Sequence, residues 1–256
     1  MTATVAVVTG AGRGLGREMA LRLARSHTVV LAGRDLDALR ESRRLIERHG
    51  GRAFETRADV RLTSDVDALR DEVEERVGPA TVLVNNSGVG GPVGDLWTIA
   101  PEAWEETFAV NVLGTFLCCR AFLPGMIAQH RGSIINIGSI TGKHPLLGRT
   151  AYAASKTALI GLTRTLAAET GPHGIRVNLV SPGYVAGARL DWVFENRSAV
   201  EMRPEQEVRD EVVGSIPLRR LVSAAEVAAV VSFLASADSA AITGQDINVA
   251  AGFVMH

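Results

Sequence analysis

The stretch "TVAVVTGAGRGLG", residues 4–16, decides the fold. Its opening apolar run, 4–9, reads as a strand covered on both faces. The run passes directly into "TGAGRGLG", 9–16, and then into a helical pattern over 15–26. Position 15 is Leu, so G-x-G-x-x-G is not satisfied; Gly10, Gly14 and Gly16 instead follow G-x-x-x-G-x-G. Glycine lets the backbone turn sharply and come close to a pyrophosphate. The helix behind it presents free N–H groups and the positive end of its dipole. A flexible surface turn is the bland alternative. A strand before and a helix after favour the phosphate cradle.

Outward from this unit the same rhythm repeats. Val- and Ile-rich runs at 28–32, 81–86, 132–138, 175–181 and, more weakly, 246–250 read as buried strands. Helical patterns cover 35–49 and 63–78; the second has Thr63 or Ser64 as candidate N-cap and Gly78 as its stop. Strands alternating with helices imply βαβ units with right-handed crossovers and a parallel sheet. The expectation is an α/β chain, one doubly wound, Rossmann-like domain over 1–256, with no linker or repeat. Residues 187–216 break the rhythm and carry Trp192 and Phe194. A segment at about 184–216 is therefore expected to cover a substrate site at the sheet's carboxyl edge.

Composition narrows the partners. The chain has 256 residues, 46% hydrophobic and 21% charged, with a formal net charge of −1. That is ordinary for a soluble globular protein, and neither a basic stripe nor a charge block points to nucleic acid or a membrane surface. The first apolar run lacks a charged flank and is too short for a signal peptide or a span. Cys118 and Cys119 are adjacent in an apolar stretch, so they read as packed core thiols in a reducing cytoplasm. His130, His173 and the other histidines lack ligand spacing, and no catalytic metal is expected.

The second strand ends "LAGRD", with Arg34 after Gly33. A 2′-phosphate there would be matched by the Arg34 guanidinium, with Arg13 supplying a second positive charge, so NADP(H) is favoured. The competing reading has Asp35 hold the ribose of NAD(H), with both arginines solvated. A further pair stands out in "YAASK", 152–156. Among 27 basic residues only Lys143 and Lys156 are lysines, and Tyr152 is one of 2 tyrosines. On a helix, i and i+4 share a face. A phenol titrates near 10, too high for proton exchange at neutrality, and a neighbouring ammonium lowers that value.

Taken in order, these motifs resemble the short-chain dehydrogenase/reductase family, over nearly the whole chain. The family's TGxxxGxG is matched by Thr9–Gly16. An Asp-Val pair near the adenine is matched by Asp59–Val60, and NNAG by Asn85–Gly88, with Ser87 in place of Ala. The helix Asn is matched by Asn111, the Ser after a strand by Ser139, YxxxK by Tyr152–Lys156, and a Pro-Gly pair by Pro182–Gly183. Two departures stand out. Gly187 occupies about the place of a Thr that touches the nicotinamide carboxamide. V-D-G-G is replaced by Val249-Ala250-Ala251-Gly252.

The resemblance implies hydride transfer between nicotinamide C4 and a carbonyl or secondary alcohol. Tyr152 exchanges the proton, Ser139 stabilises the oxygen, Lys156 positions the ribose and tunes Tyr152, and Asn111 holds a relay water. Cofactor contacts are implied for Gly10, Arg13, Gly14, Leu15, Gly16, Arg34, Asp59, Val60, Asn86, Gly88, Tyr152, Lys156, Pro182, Gly183 and Val185. The expected function is an NADP(H)-dependent ketone reductase of the 3-oxoacyl reductase-like kind. The alternatives are an NAD-dependent alcohol or sugar dehydrogenase, a nucleotide-binding protein without redox turnover, and a dehydratase or epimerase. His144 borders the substrate or is an exposed loop residue. Tyr184, Trp192 and Phe194 line the pocket or pack the variable segment. Family members pair the Ala-rich helix over 151–168 across an interface, which implies a homotetramer, with a dimer as rival.

Overall fold

The structure is a computed structural model and describes residues 4–256. In chain order β1 (Val5–Thr9) leads to α1 (Gly14–Leu23), β2 (Thr28–Gly33) to α2 (Leu36–Arg48), and β3 (Arg52–Arg57) to α3 (Thr63–Val77). Next come β4 (Val82–Asn85), α4 (Pro101–Phe108), a π-helical turn (Ala109–Leu113) and α5 (Gly114–Ala128). The chain finishes with β5 (Gly132–Ile137), α6 (Thr150–Thr170), β6 (Ile175–Pro182), α7 (Ala188–Glu201), α8 (Glu205–Ser215), α9 (Ala224–Ala235) and β7 (Asp246–Val249).

The seven strands form one parallel sheet in the order β3-β2-β1-β4-β5-β6-β7. The chain travels outward from β1 to β3, then returns to place β4 on the other side of β1. That reversal opens a crevice at the carboxyl ends of β1 and β4, where ligands of open α/β sheets sit. The expected α/β doubly wound, single-domain fold is therefore the observed one.

Side-chain alternation explains why the strands read as continuous apolar runs. Val5 and Val7 enter one core layer with Leu69, Phe122 and Met126. Ala6 and Val8 enter the opposite layer with Met19, Leu23, Val227 and Leu234. Both faces are covered, so Val5 to Val8 are all apolar, and the one polar residue of β1, Thr9 at its end, is hydrogen-bonded. Truncating a wholly buried residue such as Leu83 to Ala would cost about 2–5 kcal/mol. Cys118 and Cys119 are free and buried in the first layer, as expected. By length and composition Pro101–Ala128 would suffice to cross a bilayer, but Leu117, Ala121, Phe122 and Met126 pack into this core.

Three local expectations change. Strand β3, "RAFETR", went unpredicted because it is an edge strand with charged ends; only Ala53 and Thr56 of it are buried. Helix α3 begins at Thr63 itself, with Leu62 as N-cap and no side-chain cap, so neither Thr63 nor Ser64 caps it. Asp65 in its first turn instead accepts from the Asp59 N–H (3.0 Å). Gly78 does end the helix, at φ 93°. The strandless stretch 187–216 folds as α7 and α8 around a small core of its own: Leu190, Phe194, Val208, Val212 and Ile216. Its two ends are joined at a bridge between Val185 and Val222.

Candidate active site

The crevice begins at the glycine loop. Gly14 has φ 54°, a left-handed conformation that favours glycine, and a Cβ there would meet only open space. A Cβ on Gly16 would run into the Gly10 carbonyl, so α1 can start flush against the loop only with glycine at that position. The loop is held from behind by residues that the sequence reading missed. Arg17 donates to the Gly12 carbonyl from Nε (3.1 Å) and Nη2 (2.6 Å), and Nε also donates to Ser42 Oγ (3.0 Å). The buried Ser42 hydroxyl in turn donates to the Ala11 carbonyl (2.9 Å). Opposite, Asn86 Nδ2 donates to the Thr9 carbonyl (2.9 Å) and Gly10 carbonyl (3.2 Å), stitching β4 to the loop. Thr9 Oγ1 accepts from the Asn86 and Ser87 N–H groups (both 3.0 Å). The Asn86 amide nitrogen is thus spent on backbone carbonyls.

Beyond β2, Arg13 forms an ion pair with Asp35, and both side chains are more than half exposed. Asp35 also caps α2, accepting from the Ala38 N–H (3.1 Å). Arg34 is exposed beside this pair. Asp59 is engaged by Arg61, which donates from Nε (3.0 Å) and Nη2 (2.6 Å). That hydrogen bonding, against the opposing effect of burial, holds the Asp59 carboxyl below its usual range, with Arg34 adding a small pull. The Val60 side chain is 6% exposed, packs in the core and presses on Gly114, which leaves its main chain to face the crevice.

The proton-transfer candidates converge at the ends of β5 and α6. Ser139 opens a short 3-10 turn (Ile140–Gly142) directly after β5. That turn is fastened to α6, where Thr157 Oγ1 donates to the Gly142 carbonyl (2.8 Å), which brings Ser139 next to the Tyr152 phenol. Lys156, one turn on, is 5% exposed and donates to the Ile137 carbonyl (2.7 Å). Its Nζ lies 5.8 Å from the Tyr152 ring centroid and beside Gly88, whose added Cβ would sit 3.5 Å away. Burial opposes ionisation of the phenol. Lys156, Arg189, the Ser139 hydrogen bond and Arg149 outweigh it, so the Tyr152 pKa falls below 10.0. Burial also lowers the Lys156 ammonium, with phenolate attraction opposing and Arg189 reinforcing.

Asn111 is fully buried in the π-helical turn, a device that often marks functional positions. Its Oδ1 accepts from the Val89 N–H (2.8 Å), and its Nδ2 donates to the Val89 carbonyl (3.1 Å) and to Ser155 Oγ (2.9 Å). It ties the loop after β4 to the helix carrying Tyr152 and Lys156.

The remaining candidates divide. Gly183 is pressed against Ala250, 2.8 Å from its Cα if a Cβ were added, so the Pro182–Gly183 turn needs glycine. Gly187 has φ 138°, which explains why a threonine is absent from that place. Leu15 and Val185 are half-buried against the second core layer. Phe194 is 1% exposed, so it packs α7 and does not line a pocket; Trp192 is 46% exposed. His144 and Tyr184 both stand edge-on to Phe253. A cleft of about 420 Å³ lined by Lys143, Arg164, Asp246 and His256 contains none of the residues named for the site. The sequence reading missed two more residues, Arg149 and Arg189, whose guanidinium carbons lie 5.1 and 5.6 Å from the Tyr152 ring centroid.

A phosphate-shaped loop facing a lysine-flanked tyrosine and a serine across one crevice is an arrangement that known proteins share. Residues 4–197 match the family described as short chain dehydrogenase, and this chain belongs to that family. The mouse (Mus musculus) (3R)-3-hydroxyacyl-CoA dehydrogenase is 37% identical over 266 residues, covering 100% of this chain and 98% of that one. The crystal structure of a single-residue variant of actinorhodin polyketide ketoreductase with NADPH superposes with TM-score 0.94 at 34% identity, covering 98% of this chain and 97% of that one. NAD+-bound xylitol dehydrogenase gives TM-score 0.94 at 31% identity, covering 97% and 98%. The chain is an oxidoreductase of this family that binds a nicotinamide cofactor.

Proposed function

We propose that the protein is an NADP(H)-dependent reductase of ketones, of the 3-oxoacyl reductase-like kind. The observation that carries the reading is the Tyr152 phenol held between Ser139 and a buried Lys156, with its pKa drawn down. The crevice fits a dinucleotide: Gly14 and Gly16 leave room that a Cβ would fill or block, and α1 presents its N-terminus there. Gly10, Arg13, Gly14, Leu15 and Gly16 would hold the pyrophosphate side, and Arg34 with Arg13 a 2′-phosphate. Asp59 and the backbone of Val60 would border the adenine. Asn86, Gly88, Pro182, Gly183 and Val185 would flank the nicotinamide half. Bound there, the cofactor supplies the hydride.

The chain's own residues manage the proton and the charge. Tyr152 Oη gives its proton to the carbonyl oxygen as that oxygen becomes an alkoxide, and Ser139 Oγ donates to the same oxygen. Lys156 stabilises the resulting phenolate and would donate to ribose hydroxyls of the bound cofactor. Asn111 aligns the segment at Val89 with α6 and holds the relay water that returns a proton to Lys156.

The arginines at the β2 end favour NADP(H), in keeping with the NADPH-bound ketoreductase. A second reading, an NAD-dependent alcohol or sugar dehydrogenase, draws on Asp35, which binds Arg13 and stands where a ribose hydroxyl would be met. We place the protein in the cytoplasm, in keeping with its two free, buried thiols, and as a homotetramer, with a dimer as rival. Leu113 and Phe116, 43% and 47% exposed beside α6, support a helix-pairing interface. The test is loss of nicotinamide absorbance when NADPH or NADH is mixed with a panel of ketones and aldehydes. Faster turnover with NADPH is expected; turnover with NADH alone would replace the first reading by the second, and none with any carbonyl would remove the reductase reading.

A further inference from the structure

Arg149 and Arg189 help draw down the Tyr152 pKa, yet no step described above uses their hydrogen-bond donors, which stand over the reacting tyrosine. Arg149 precedes α6 and is 8% exposed. Its Nη2 donates to the Gly90 carbonyl (2.8 Å), but its buried Nε has no hydrogen-bond partner. Arg189, in the first turn of α7, is exposed. The two guanidinium groups meet at Gly90: a Cβ placed there would lie 3.0 Å from Arg149 Nη2 and 3.4 Å from Arg189 Nη2. Their Nη2 atoms therefore lie no farther apart than about 6 Å.

Neither arginine has a carboxylate partner among the described residues. This is unlike their surroundings. Asp191, two residues beyond Arg189, pairs with Arg209 (3.0 Å), and Arg197 and Arg203 share Glu201 and Glu211. With Lys156, three cations face one phenol and no acid balances them. Lys156 exerts the largest electrostatic pull on the phenol, and the arginines add to it. Two like charges brought together, one of them desolvated with an unused donor, attract an anion. Guanidinium forks bind planar oxyanions through paired hydrogen bonds.

We infer that the substrate carries an anionic oxyacid group, a carboxylate, sulfonate or phosphate, within a few atoms of its carbonyl, and that Arg149 and Arg189 hold that group. The inference rests on Tyr152 acting as the proton donor, and it adds the substrate class. Gly90 is part of the device, because a side chain there would crowd both guanidinium groups.

The test uses the full chain with NADPH and matched ketones: 3-oxobutanoate, 3-oxobutane-1-sulfonate and hydroxyacetone phosphate against methyl 3-oxobutanoate, butan-2-one and hydroxyacetone. The ratio of kcat/KM for at least one anion over its neutral counterpart should be about 10- to 100-fold, the size of a charge-assisted hydrogen bond. The arm with the largest ratio names the oxyacid. Arg189→Gln should collapse that ratio about tenfold, chiefly through KM, with partial rescue by Arg189→Lys. A wild-type ratio near one, or an Arg189→Gln loss shared equally by anionic and neutral ketones, would overturn the anion site while leaving the reductase reading intact. Should no ketone turn over, propanoate, propane-1-sulfonate and phosphate are titrated into the NADPH-mixed protein by calorimetry. Binding that disappears in Arg189→Gln would uphold the arginine pair although the redox reading had failed; no heat from any of the three would overturn it.

Discussion

Two pairs of arginines lie on the carboxyl edge of the same sheet, and they are treated differently. Arg13 and Arg34, past β1 and β2, stand in water around Asp35, which neutralises Arg13 and caps a helix. Arg149 and Arg189, past β5 and β6, have no acid and crowd a phenol. An exposed pair such as Arg13–Asp35 is worth about 0–1 kcal/mol and is screened by salt. It can be broken by a phosphate at little cost, so cofactor preference there is adjustable. The second pair is partly desolvated, where a charge acts more strongly on its neighbours. Position on the edge, more than residue type, separates a surface that selects weakly from one that shapes chemistry.

The strongest way to break this contrast is Tyr152→Phe. Turnover should fall by about 10²–10⁴, the usual worth of a positioned proton donor, while coenzyme affinity measured by fluorescence titration changes little. Retained turnover would leave the second arginine pair with no reacting group to influence.

A sharper probe uses pH. In the alcohol-oxidising direction the phenolate is the base, so kcat/KM falls as pH drops through the Tyr152 pKa. Lys156, Arg189 and Arg149 draw that pKa below 10.0 against burial, which extends activity to lower pH. Removing the charge in Arg189→Gln must raise the phenol pKa, and the acidic limb of the pH–rate profile should move to higher pH. A limb that stays in place would mean Arg189 does not reach the phenol electrostatically.

At the first pair the effects should be smaller. Arg34→Asp should turn the ratio of kcat/KM for NADPH over NADH toward NADH by about tenfold or more, equivalent to about 1.4 kcal/mol. Asp35→Asn should free Arg13 and move the ratio a few-fold toward NADPH. An unchanged ratio in both would detach this pair from the 2′-phosphate.

The smallest expected effect lies where the C-terminal segment packs on α7 and α8. Ala251 adopts φ 51°, a left-handed conformation that costs a Cβ-bearing residue about 1–2 kcal/mol. Ala251→Gly relieves this but adds freedom to the unfolded chain, so thermal unfolding should show a gain of about 1 kcal/mol or less. A loss would mean that the Ala251 methyl contributes more packing than its backbone strain costs.

These contrasts mark what could be read in sequence. The parallel sheet was legible because β1, β2, β4, β5 and β6 are buried on both faces and are dominated by Val, Ile, Leu and Ala. β3 was not, because an edge strand needs cover from one neighbour alone and can carry Arg52, Glu55 and Arg57. Tyr152 and Lys156 were legible because one helical turn fixes their distance. The Arg149–Arg189 pair was invisible because its members belong to separate elements that only the tertiary fold brings to Gly90. The departure at Gly187 was visible, but its cause, φ 138°, needed the backbone. Phe194 and Val60 carried no signal separating a pocket from a core, since an apolar side chain suits both.

The joint between Val185 and Val222 has a further consequence. Val222 donates to the Tyr184 carbonyl (2.9 Å) and the Ala186 N–H donates to Val222 (2.8 Å), so everything between them leaves and rejoins the body through one narrow neck. With its own small apolar centre, the pouch beyond that neck can lengthen, shorten or be exchanged without disturbing a strand. Chain-length changes inside a closed loop carry only a shallow entropic penalty. One scaffold can thereby accept new molecules by swapping a purse whose drawstring never moves.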